Sequence, residues 1–210
     1  MKINKISATF LVMALCIGAV FAVRTLRPDA QSAMKKRIAE RSLGDEKAPL
    51  WITEYFDYQC PPCGLARTAL EQAVAEHPGQ IHLQVRFFPL PAHKNAMKAA
   101  IYAECASRQK GKFWKFHDEV FKHQAEWAQD PYAPLKFASY AESAGLELRR
   151  LAACANDRRT EKAVAEEKKK AEGLGVKITP TFFFNGKMVI GVNGLIEEIK
   201  AFFTPKEASP

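Results

Sequence analysis

Two cysteines, Cys60 and Cys63, enclose a pair of prolines at the junction between an apolar run and a helical pattern, and no other feature constrains this chain as strongly. Upstream, Leu50–Phe56 is rich in β-branched and aromatic side chains and reads as a buried strand. Downstream, Leu65, Ala69, Leu70, Ala73 and Val74 share one helical face until Pro78 and Gly79 end it. The cysteine pair therefore sits where a strand hands over to a helix N-terminus. Backbone amides without intrahelical partners and a partial positive charge converge at such an end, and both favour a thiolate on the first cysteine. The sequence thus predicts Cys60 as an exposed nucleophile and Cys63, one turn further in, as the thiol that attacks a mixed disulfide on Cys60. Prolines 61 and 62 fit a first turn, whose amides have no intrahelical acceptor. A purely structural disulfide and half of a zinc site are the other readings, the latter without a second Cys or His pair at the spacing such sites use.

The remaining pattern supplies a framework for that junction. Residues 81–88 alternate and read as a second strand closed by Pro89 and Pro91. From residue 95 to residue 174 only helical patterns occur, over 96–107, 113–123, 132–143, 147–155 and 158–172. Strand signals return in Thr181–Phe184 and Lys187–Ile190 around Asn185-Gly186, a two-residue hairpin turn, and residues 195–203 form a last amphipathic helix. Strand, helix, strand, helical block, hairpin and helix make an α/β chain. Residues 24–43 are polar with a modest helical period and read as a short helix or stalk outside the core.

At the other end, Lys2 and Lys5 precede an uncharged run over residues 6–23 that includes the small Ala22. This reads as an export signal cleaved after Ala22, or as an uncleaved anchor, since the run approaches the lower limit of a membrane span. Cys16 is apolar filler within it. Cys60, Cys63, Cys105 and Cys154 remain, an even set that suits an oxidising compartment. The 31 Lys and Arg against 23 Asp and Glu give a net charge of +8, but the basic residues alternate with acids, as over residues 161–172, rather than with aromatics. No nucleic-acid partner is expected from that arrangement. No phosphate-binding glycine loop or paired carboxylate site stands out, and neither a cofactor nor a metal is expected.

Over about residues 48–203 the chain resembles the exported DsbA-like disulfide oxidoreductases of the thioredoxin superfamily. The resemblance is carried by EYFDYQCPPC at 54–63, by Phe113-Trp114 with His117-Asp118, and by GVKITPTFFF at 175–184 before Asn185-Gly186. It implies a thioredoxin fold from residues 48–94 and 175–204, an inserted helical domain at 95–174, a linker or stalk at 23–47, and a signal peptide or membrane anchor at 1–22. In the family, the proline matching Pro180 follows a cis peptide bond beside the cysteine pair, so Thr179 would offer backbone groups to a bound peptide; an ordinary strand-start proline is the other reading. Relatives bury the acid matching Glu54 near the pair, where it relays protons; a strand-edge carboxylate in water is the alternative. A structural disulfide between Cys105 and Cys154 recurs in a subset of the family, against two buried free thiols or a second redox site. His93 and His117 match family positions and read as structural or surface groups.

The resemblance implies an exported thiol:disulfide oxidoreductase that introduces or exchanges disulfides in unfolded or misoxidised exported proteins. A membrane redox partner would reset its dithiol, in the periplasm or another extracytoplasmic space, with the protein either soluble or tethered. The competing readings are an isomerase or reductase made oligomeric by the stalk, and a non-catalytic binding or metal-handling module on a thioredoxin scaffold. Where the strongest oxidants of the family carry a histidine between the cysteines, this chain has Pro62, as reducing thioredoxins do. Proline donates no hydrogen bond, so the expected potential lies between roughly −270 mV for thioredoxin and −120 mV for DsbA.

Overall fold

The computed structural model describes residues 30–204. The expected signal or anchor, with Cys16, lies outside the described residues. Among the described residues, no helix is long and apolar enough to cross a membrane. The chain divides into two compact units, Met1–Lys36 and Arg37–Pro210. Of the first, the described part opens helix α1 (Ala30–Glu40).

In the second unit, five strands make one sheet: β1 (Ser42–Leu43), β2 (Leu50–Phe56), β3 (Ile81–Phe87), β4 (Thr181–Phe184) and β5 (Lys187–Ile190), in the order β1-β3-β2-β4-β5. Strands β2 and β3 are parallel and joined by helix α2 (Pro61–Glu76), the crossover that a parallel pair requires. Strand β4 runs antiparallel to β2, with Tyr55 opposite Thr181 and Glu54 opposite Phe182. One face of the central strand is fully covered, where Leu50, Ile52, Phe56, Leu83, Val85 and Phe182 are nearly inaccessible to solvent, while Trp51 on the other face is 40% exposed. Each such side chain removed from water stabilises the fold by about 1.5–3 kcal/mol. Asn185, at φ 47°, and Gly186, at φ 92°, make the left-handed turn between β4 and β5.

Helices α3 (Ala96–Ala106), α4 (Phe113–Lys122), α5 (Gln124–Trp127), α6 (Ala133–Ser143), α7 (Leu148–Ala155) and α8 (Arg158–Gly173) separate β3 from β4. Phe113, Phe116, Val120, Trp127 and Phe137 fill the space among them and merge with the sheet core in one cluster. A disulfide joins Cys105 on α3 to Cys154 on α7. Helix α9 (Gly191–Phe203) closes the chain against α2. It begins earlier than the sequence pattern indicates. A Cβ at Gly194 would come within 2.9 Å of Val189 Cγ1, so a small residue lets the first turn of this helix lie close on β5.

Residues 41–43, the end of the segment expected to stand outside the core, are part of it. Ser42–Leu43 adds an antiparallel edge strand to β3, and the side chain before it is buried. Arg41 donates to both carboxylate oxygens of Glu167 on α8, at 3.0 and 2.9 Å, and stacks over the Phe87 ring at 4.3 Å. Glu167 also accepts the Phe87 amide at 3.1 Å. A polar residue is drawn inside here because a bidentate partner 126 positions away satisfies it, which no local pattern announces.

Candidate active site

The extended backbone of β2 ends at Phe56, and the chain turns through residues 57–59 into α2. Asp57, fully buried, organises that turn. Its Oδ1 accepts the Gln59 amide at 2.7 Å, and its Oδ2 faces the Leu90 amide at 2.8 Å and His93 Nδ1 at 2.7 Å. Gln59 Oε1 accepts the Asn95 amide at 2.8 Å, so two straps tie the turn to the segment after β3. Tyr58 points into an aromatic cage of Phe56, Phe87 and Phe121 and shares a hydrogen bond of 2.9 Å with His117 Nδ1 on α4. Burial holds the His117 pKa well below the ordinary imidazole range, so the ring is neutral.

Cys60 is the N-cap of α2, with Pro61 and Pro62 as the first two helical residues. The expectation of an exposed Cys60 needs correction: the residue is 5% exposed, and Cys63 is not exposed at all. Cover comes in part from the chain before β4. The Cys60 thiol donates to the Thr179 carbonyl at 3.4 Å, and the peptide between Thr179 and the buried Pro180 is cis. Register explains the meeting, because the end of β2 lies beside the start of its antiparallel neighbour β4.

The two thiols are electrostatically unlike. The Cys60 pKa is drawn from its ordinary value to about 6, chiefly by the hydrogen bond from the Cys63 thiol and then by the Thr179 side chain and the Cys63 amide; desolvation and the Asp57 charge oppose this. The Thr179 hydroxyl is buried and makes no hydrogen bond while Cys60 is a thiol, so it is free to donate to the thiolate. Burial pushes the Cys63 thiol well above its ordinary range, assisted by its bond to Cys60 and by the Glu54 charge. The helix end contributes less than the sequence suggests, because proline at both leading positions leaves Cys63 to supply the first amide.

Glu54, on β2, is 1% exposed and its Oε1 has no hydrogen-bond partner. Desolvation raises its pKa to about 8, against the Arg67 charge, which lowers it, and with a smaller contribution from Cys60 that raises it. The carboxyl is neutral at pH 7, not a solvated strand-edge carboxylate. Arg67, one turn past Cys63 on α2, is held by Asp118 of α4 through Nε at 3.0 Å and Nη2 at 2.7 Å. The structure therefore brings together Glu54, Cys60, Cys63, Thr179 and Pro180, and places the Cys105–Cys154 disulfide in the helical region instead.

Sequence reading missed Asp57, Arg67 and Gln124. Asp57 carried a signal, an acid directly after a buried strand in a turn; Arg67 looked like any helical surface arginine. Chemically, the site pairs a thiol ionised at neutral pH with a buried protonated thiol and a neutral buried acid. Among the described residues, no cluster of three or more His, Cys, Asp or Glu could hold a metal ion.

Comparison with known proteins agrees with this fold. A family model described as Thioredoxin matches residues 36–202. The crystal structure of Pseudomonas aeruginosa DsbA2 is 26% identical with a TM-score of 0.61, covering 78% of this chain and 93% of that one. Oxidised BdbD from Bacillus subtilis superposes with a TM-score of 0.68 over 78% of this chain and 93% of its own, at 20% identity, a likeness of fold. Among curated relatives, a protein named Na(+)/H(+) antiporter NhaA 3 from Salinispora tropica is 35% identical over 145 residues, 69% of this chain but 21% of the antiporter. The chain spans about a fifth of the length of that relative. Its fold and these matches together place the chain in the thioredoxin family, with a fold like that of the DsbA proteins.

Proposed function

We propose that this protein is an exported oxidoreductase that introduces or exchanges disulfides in substrate proteins through Cys60 and Cys63. The observation that carries the reading is the contrast between the two thiols: Cys60 ionises near pH 6 at the surface end of the pair, while Cys63 stays protonated beneath it. In the oxidising direction, a substrate thiolate attacks Cys60 Sγ of the Cys60–Cys63 disulfide. The bond between the cysteines breaks, and Cys63 leaves as a thiolate that takes up a proton. A second substrate thiolate then attacks the substrate sulfur of the mixed disulfide and releases Cys60 as a thiolate, so two electrons pass to the enzyme. In the reverse direction Cys63 attacks the mixed disulfide. Glu54, buried and neutral beneath the pair, is the acid that supplies or accepts the Cys63 proton. Thr179 and Pro180 present backbone to the substrate strand beside Cys60.

Unfolded or misoxidised exported proteins are the substrates in this reading, and a membrane redox partner reoxidises the dithiol outside the cytoplasm. Pro62 favours a second direction of flow, toward isomerase or reductase, because it removes a donor that would stabilise the Cys60 thiolate. Peptide oxidation and insulin reduction, assayed side by side on the purified protein, separate the two. Oxidation faster than reduction supports the donor role. Insulin reduction alone assigns the protein to the reductases, and inactivity in both removes the proposal.

A further inference from the structure

The turn that carries Cys60 is short of hydrogen-bond donors. Pro61 and Pro62 contribute none, and the Cys63 amide, which also favours the Cys60 thiolate, is shared with the Cys60 carbonyl at 3.1 Å. An uncompensated carbonyl beside the sulfur would oppose a thiolate there. Further donors come from the helical insertion. Gln124, the first residue of α5, donates Nε2 to the Tyr58 carbonyl at 2.6 Å and to the Cys60 carbonyl at 3.0 Å. Both partners only accept, so the NH2 end of the amide must face them, one hydrogen to each. The oxygen end lies over the first turn of α2, where a Cβ on Gly64 would stand 3.9 Å from Gln124 Oε1.

The base of this side chain is firmly held. Trp127, fully buried three residues on, donates its ring N–H to the Val120 carbonyl at 2.8 Å, and Asn95 Nδ2 bonds the Trp127 and Asp130 carbonyls at 3.0 and 2.9 Å. Gln124 also edges a groove of about 670 Å³ that opens beside Pro61 and Leu65.

We propose that Gln124 is a positioning residue for the thiol chemistry, a donor lent by the helical insertion that holds the two carbonyls flanking Gln59 and compensates their charge beside the Cys60 sulfur. The inference rests on Cys60 being the nucleophile. Its test reads the sulfur directly, so that it fails or succeeds apart from the oxidase assay.

The experiment titrates the Cys60 thiolate of the reduced full-length protein by its ultraviolet absorbance and by iodoacetamide trapping, in the parent and in Gln124→Glu, Gln124→Met and Gln124→Lys. Gln124→Glu keeps the shape but replaces the donor with an acceptor, and should raise the midpoint by about half to one unit, a threefold to tenfold loss of thiolate below it. Gln124→Met keeps length and packing without a donor, should shift the same way, and carries the test if the charged variant does not fold. Gln124→Lys restores an N–H donor and should hold the midpoint at or below that of the parent. Unmoved midpoints in Gln124→Glu and Gln124→Met overturn the proposal, as does an equal rise in all three variants. Loss of peptide oxidation in the parent itself would instead count against the oxidase reading.

Discussion

Replacing Cys63 with alanine separates the Cys63 thiol from the other two sources of Cys60 acidity. Of the interactions that draw the Cys60 pKa to about 6, the hydrogen bond from the Cys63 thiol is the largest, ahead of the Thr179 side chain and the Cys63 amide. A hydrogen bond to an ionised acceptor is worth about 1.5–3 kcal/mol. One pKa unit corresponds to about 1.4 kcal/mol, so losing this bond should raise the Cys60 pKa by about one to two units. At a pH equal to the parent midpoint, the thiolate fraction then falls from about half to between about 1% and 10%. Alanine keeps the backbone N–H at position 63, so what the helix end contributes stays in place. Alkylation rates of Cys60 across a pH series, with thiolate absorbance as a second titration, measure the midpoint in both proteins. An unchanged midpoint refutes the reasoning and returns the stabilisation to the Thr179 side chain and the Cys63 amide.

Glu54→Gln should alter how stability depends on pH. The folded pKa of Glu54, about 8, is raised by burial, so the native state is favoured most below the ordinary carboxylate pKa and loses stability as pH rises toward about 8. The glutamine protein lacks that loss and should be more stable at pH 7 by up to about 3 kcal/mol, with little difference near pH 4; parallel urea midpoints at the two pH values would contradict this. Pro62→His restores an amide at the second helical position and should lower the Cys60 pKa by about half to one unit, moving the potential by about 15–30 mV in the oxidising direction on equilibration with glutathione buffers; no movement would remove the argument from missing donors. Changing Cys105 and Cys154 together to serine opens a loop of 49 residues and should cost about 4 kcal/mol in urea unfolding while leaving the Cys60 titration in place; a shifted titration would show that the helical disulfide reaches the site.

Local pattern makes much of this architecture readable and leaves specific parts unread. β2, β3, the Asn185-Gly186 hairpin and the long helices announce themselves because burial on one face repeats at a period that short windows capture. Strand β1 does not, since two residues carry no period and Ser42–Leu43 is a strand only by pairing with β3. α5 is equally silent, a four-residue helix between longer ones. At the site, Cys60 and Cys63 stand out by spacing, whereas Arg67 and Gln124 matter through partners contributed by distant elements. Whether Cys105 and Cys154 pair was left open by their spacing alone; the structure bonds them because α3 and α7 pack side by side.

The register between β2 and β4 works as a ruler. Tyr55 pairs with Thr181, and the same rungs that align them fix how far the Thr179 carbonyl stands from the sulfur five residues beyond Tyr55. A slip of two residues would keep every side chain on its own face yet carry that carbonyl about 7 Å along the strand, out of reach of Cys60. The spacing is thus written into the ladder and does not depend on the length of chain between β3 and β4. Helices there are open to lengthening, shortening or exchange without recalibrating the sulfur-to-carbonyl gap, provided a donor still arrives where Gln124 now stands.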